Sequence, residues 1–92
     1  MRKVAICNFN LFDAYHAIEI VDVDKNSVVV ATAATTEDLG RTIAEFCSVE
    51  NVKDVQLIGS TKYAKDFLVD EIKTQASTNY GLNNLNITVR GV

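Results

Sequence analysis

Between Ile18 and Val30 the chain reads IEIVDVDKNSVVV, two β-rich runs on either side of Asp24-Lys25-Asn26-Ser27. Runs of β-branched residues joined by a short polar turn predict an antiparallel hairpin. A hairpin commits the neighbouring chain to a sheet, because two strands alone are marginal in water and need further strands or helices. Residues 3 to 9, KVAICNF, supply the next strand. Their almost unbroken apolar run is the pattern of a central strand covered on both faces. Residues 10 to 17 join these two parts. Asn10 has the chemistry to cap a short helix carrying Leu11, Phe12, Tyr15 and Ile18 on one side. A loop running into the second strand is the preferred expectation.

From Thr35 the apolar period changes from two to 3.6. Thr36 is the expected cap, Glu37 and Asp38 the first turn, and Leu39, Ile43, Phe46 and Cys47 recur at helical spacing, which predicts a helix over 36–48. Residues 54 to 58, DVQLI, return to strand character and Gly59 punctuates them. A second helix is predicted over 62–78, with Ala64, Phe67, Leu68, Ile72 and Ala76 as its buried stripe and Asn79-Tyr80-Gly81 as its stop. The last strand alternates, with Leu85, Ile87 and Val89 inward and Asn86, Thr88 and Arg90 outward, as a sheet edge does. The order is β-β-β-α-β-α-β. Right-handed crossovers leave few arrangements for it. The plainest is a five-stranded mixed α/β sheet in the order 3-2-1-4-5, strand one at its centre. Ninety-two residues are expected to make a single domain, 1–92.

Composition removes several classes of function. Net charge is −3, and the nine Lys and Arg are scattered, so nothing resembles the basic stripe of a nucleic-acid binder. The N-terminal apolar run is broken by Asn8 and is too short for a signal-peptide core or a membrane span. No C-x-x-C or H-x-x-x-H spacing occurs, so neither a metal site nor any other cofactor is expected. Cys7 and Cys47 read as buried, unpaired thiols of a reducing compartment, and the cytoplasm is the expected location.

The element order and length resemble the ribonuclease H-like superfold, which also forms the halves of actin-like ATPases, over nearly the whole chain. Nucleases of this class carry an acidic residue on strand one, a second near the end of strand four and a third on the last helix. Together these hold divalent metals, which need convergent carboxylates. Here strand one offers Asn8 and Asn10, and strand four ends in Ile58-Gly59-Ser60. Only the last helix is acidic, with Asp66, Asp70 and Glu71. Asparagine is neutral, so the resemblance implies a two-metal site that is missing or degenerate. No Asp-Gly turn follows strand one either, which removes the actin-like nucleotide motif. Fold alone does not carry function.

Several stretches remain as candidate sites. Gly59-Ser60-Thr61-Lys62 and Ala34-Thr35-Thr36-Glu37 both fall where a strand hands over to a helix, the place where open α/β sheets collect ligands. Backbone amides, hydroxyls, Lys62 and Lys65 would suit a phosphate-bearing small molecule there. The full Walker pattern is absent. The competing reading makes Ser60 or Thr61 a helix cap and has Gly59 relieve crowding. Two lysines at a helix start, against the macrodipole, tilt slightly towards the anion, but exposed lysines break this rule routinely and the cap is the expected reading. His16 lacks partners for a metal or a triad and reads as a partly exposed residue. Asp66, Asp70 and Glu71, interleaved with Lys62, Lys65 and Lys73, read as a solvated helix face. Asp22, Asp24 and Asn26 read as turn chemistry. Phe9 is assigned to the core, and Phe12 and Tyr15 to a contact surface.

The edge strand, with Val28, Val29 and Val30, lacks the devices that blunt edges, and a homodimer through it is expected. A monomer whose edge is covered by residues 10–17 is the alternative. The functional expectation is a non-enzymatic binding or interaction module, such as an accessory protein of a mobile element or a bacterial regulator. Its partner is another protein or itself. The alternative is a minimal metal-dependent nuclease or nucleotide-binding enzyme, with Asp13, Asp54, Asp66 or Asp70 as ligands.

Overall fold

A computed structural model of the protein describes residues 2–9, 14–59 and 62–91, with backbone alone for 62–65. Five strands and two helices follow in the order β1 (Lys3–Phe9), β2 (Tyr15–Asp22), β3 (Ser27–Thr35), α1 (Leu39–Glu50), β4 (Asp54–Gly59), α2 (Lys62–Tyr80) and β5 (Asn86–Gly91). They form one mixed sheet in the order β3-β2-β1-β4-β5, the ribonuclease H-like topology expected from the sequence. β1 is antiparallel to β2 and parallel to β4, and β5 runs parallel to β4.

Both crossovers step in the same direction across the sheet. Two right-handed crossovers in one direction put both helices on one face. The core is therefore a single layer between that face and the helices. Ile18 and Ile20 of β2, Val55 and Leu57 of β4, Leu39 and Ile43 of α1 and Ile72 of α2 are all buried in it. The helices meet closely at Gly40, where an added Cβ would lie 2.6 Å from Cγ of Glu71. Glu71 is thus half-buried over α1, and only Asp66 and Asp70 of the acidic group sit on an exposed face.

Both helices run two residues past their expected ends, to Glu50 and Tyr80, and the larger departure is at the start of α1. α1 begins at Leu39 rather than 36, with Asp38 as its N-cap and no side-chain cap bond. Thr36 does not cap because its hydroxyl is engaged elsewhere, 2.7 Å from Nε2 of His16. Residues 35–38 instead make a turn in which Asp38 N–H donates to the Thr35 carbonyl at 3.1 Å. At its other end Asn51 adopts the left-handed conformation, φ 57°, while Val52 N–H donates to the Cys47 carbonyl. α2 ends in the same manner at Gly81, φ +67°, with Leu82 N–H donating to the Ala76 carbonyl. A left-handed residue followed by such a bond satisfies the last free carbonyls of a helix.

The buried stripe of α2 is Leu68, Ile72 and Ala76. Phe67, expected there, is 65% exposed, because one residue before Leu68 is a rotation of about 100° off the stripe. Ala64 lies among the residues whose side chains are outside the description. Leu85, just before β5, and Ile87 turn inward as expected, but Val89 is 39% exposed.

Cys7 and Cys47 are free thiols in the core, and burial pushes each from 9.0 up to about 12. The unfolded chain releases these protons near pH 9 while the folded one keeps them, so stability falls as pH rises from about 9 towards 12. Each thiol takes away about 1.4 kcal/mol per pH unit in that window. Denaturant melts from pH 7 to 10.5 should show this decline. Cys47→Ala should make it shallower, and an unchanged slope would contradict it.

Candidate functional site

Two surfaces of the sheet bear on function: its carboxyl end, and the face opposite the helices. At the carboxyl end Phe9 and Gly59 are register partners that close β1 and β4. A Cβ on Gly59 would press into the Phe9 carbonyl oxygen and touch its ring. Gly59 is there because two backbones meet, which is the crowding reading of this residue. Ser60 and Thr61 lie outside the described residues, as do the side chains of Lys62 and Lys65 and all of Phe12 and Asp13. Ala34 is buried, and Thr35 and Thr36 lead into the turn before α1.

His16 differs from its expected place. It is 1% exposed, its ring centroid lies 4.9 Å from that of Phe9, and its Nε2 meets Thr36 Oγ1 at 2.7 Å. The reason is strand parity. His16, Ile18, Ile20 and Asp22 alternate onto the helix side of β2, so His16 is drawn under the start of α1. A buried imidazole must find a hydrogen-bond partner, and Thr36 is one. At the far end of the same strand Asp22 is buried too. Its Oδ1 accepts from the amides of Asp24 at 3.1 Å and Lys25 at 3.3 Å, the turn chemistry expected of the hairpin.

Carboxylates do not converge. Asp54 sits at the amino end of β4, where its Oδ1 accepts from Nδ2 of Asn86 at 3.2 Å, while Asp66 and Asp70 are exposed on α2. Among the described residues no group of three or more His, Cys, Asp and Glu is placed to hold a metal ion. Concavities occur at two places among them. One of about 290 Å³ is lined by Lys73, Ser77, Leu82, Asn83 and Leu85, at the end of the sheet remote from Gly59. The other, about 210 Å³, lies between β3 and α1 beside Thr32, Phe46 and Val49.

The second surface is the bare face of the sheet. Strand pairing sets its side chains in three rows across the strands. The first runs Ala33, Ala17, Asn8, Ile58, Arg90, the second Ala31, Glu19, Ile6, Gln56, Thr88 and the third Val28, Val21, Val4, Asp54, Asn86. Its centre is apolar: Ile6, Ile58 and Val21 are half-buried with no described element above them, and Ala17 and Val28 are exposed. Tyr15, one of the two expected contact residues, stands at its rim and is 68% exposed. The continuous apolar run of β1 therefore does not mean cover on both sides. One side of that strand is core, and the other carries buried Val4, half-buried Ile6 and exposed Asn8.

The edge strand also differs from expectation. Ile20 pairs with Val30 and Val21 with Val28, which leaves Val29 as the extra residue of a β-bulge. A bulge bends an edge and interrupts its ladder. Val28 and Val29 are exposed and Val30 half-buried, as an edge requires, but this edge carries a blunting device.

No family model matches the chain. No curated protein matches it in sequence. Solved structures do match in shape. A Ppx/GppA phosphatase of Aquifex aeolicus, in its type II variant, superposes with a TM-score of 0.61 at 10% identity, over 99% of this chain and 36% of its own. Pelota of Archaeoglobus fulgidus superposes at 0.57 and 15% identity, over all of this chain and 27% of its own. The chain thus spans about a third of the length of these neighbours. Identity this low shows the fold alone, a mixed five-stranded α/β sheet shared with these neighbours.

Proposed function

We propose that the chain is a non-enzymatic interaction module whose working surface is the bare face of the sheet. One observation carries this reading: β1, β4 and β5 run parallel, and no described element covers their common face. Parallel strands are almost always covered on both faces, because both then carry apolar side chains. Here one face carries half-buried Ile6, Ile58 and Val21 beside exposed Ala17 and Val28 in a contiguous patch, and such patches mark contact surfaces. The free, buried thiols fit a reducing compartment, and we place the module in the cytoplasm. No helix among the described residues is long and apolar enough to cross a membrane.

The second reading is a metal-dependent or nucleotide-binding enzyme on the same scaffold, and the likeness to Ppx/GppA phosphatases favours it. Its anion site would lie at Gly59, Ser60, Thr61, Lys62 and Lys65, and its phosphate-bearing ligand would be a small molecule. The separation of Asp54 from Asp66 and Asp70 by the length of the sheet works against shared metal ligation. Turnover of p-nitrophenyl phosphate, nucleoside triphosphates and single-stranded nucleic acid, with Mg²⁺ or Mn²⁺, decides between them. The module reading expects the rate of the protein-free control. Hydrolysis that scales with protein and disappears in Asp66→Asn or Asp70→Asn overturns it.

A further inference from the structure

We infer that the bare face pairs with the same face of a second copy of this chain, and that this face-to-face contact replaces the edge-to-edge dimer expected from β3. The inference rests on the reading of that face as the working surface. Three observations name the occupant. The first is the bulge at Val29, which interrupts the longer of the two sheet edges that a second strand would extend.

The second is size. Strands about 4.8 Å apart and residues about 3.3 Å apart give this face about 500 Å² per copy. Two copies then bury about 1,000 Å², the size at which specific interfaces begin. The third is charge. The chain carries −3, yet the three rows hold only Glu19, Asp54 and Arg90, so like faces meet with little repulsion. Glu19 lies on the β2 side and Arg90 on the far side, on β5. A twofold axis running along the strands near β1 and β4 sets Ile6 and Ile58 of both copies together. The same axis brings each Glu19 towards the partner's Arg90. An apolar centre with a charged rim is the usual anatomy of a specific interface.

Sedimentation equilibrium from low to high micromolar protein tests this, with circular dichroism as the control for folding. Wild type is expected to reach twice its mass of 10.1 kDa. Ala17→Lys, at an exposed position on the face, should be monomeric with an unchanged spectrum. Glu19→Arg and Arg90→Glu should each weaken association about tenfold or more, and the double swap should recover most of it. Val29→Lys should remain dimeric. A monomeric wild type at every concentration overturns the inference, and so does a dimer that Val29→Lys separates and Ala17→Lys does not. The turnover assay reports independently. Monomers without turnover leave the interaction module standing with another partner, whereas turnover lost with the aspartates removes that reading whatever the mass.

Discussion

Gly59→Ala should be the most damaging conservative change in the molecule, costing about 3 kcal/mol or more at the high end of overpacking. The added methyl has nowhere to go. Its nearest neighbour is the Phe9 carbonyl oxygen, a backbone atom held in the ladder between β1 and β4. A flexible side chain would rotate away, but a backbone can yield only by breaking pairing. The loss corresponds to about 12–24 °C in melting midpoint for a domain of this size. Thermal melts of the two proteins measure it. A variant that melts within a few degrees of wild type would mean that the strand ends can part, and that Gly59 is kept for a ligand instead.

Ile72→Ala should cost about 2–5 kcal/mol, whereas Phe67→Ala should cost less than about 0.5. Ile72 is fully buried between α2 and the sheet, so its truncation leaves a cavity bounded by the two layers. Phe67 is the larger side chain, but 65% of it remains in solvent. Size alone would rank them the other way. Urea unfolding of both variants reads the difference, and a larger loss for Phe67 would place that ring in an interface rather than in water.

Much of this architecture is legible in the sequence. The hairpin at 18–30, the change of period at Thr35 and the stop at Gly81 fix five strands, two helices and their order, since each signal is local. Register and cover are not local. Nothing in VVVATAA announces that Val29 is an extra residue, because the bulge depends on how β2 pairs across from it. His16 looked exposed in a polar context, and only its parity with Ile18 and Ile20 takes it inside. The bare face could have been foreseen. Two right-handed crossovers in one direction cover one side of a sheet, and the described residues hold no third helix to cover the other. The apolar run of β1 concealed this, since a strand half core and half interface reads the same as one buried twice. The stretch around Ser60 and Thr61 stays a sequence reading, because it lies outside the described residues.

The dependence of the melting midpoint on protein concentration tests the central claim, that the bare face binds a second copy of the chain, most directly. A folded state that gains a partner through this face is stabilised by mass action, so its midpoint climbs with concentration. Wild type should melt at higher temperature at high than at low micromolar protein. Ala17→Lys should melt at one temperature throughout, equal to that of dilute wild type. Parallel behaviour of the two proteins, both flat or both rising equally, would contradict the claim.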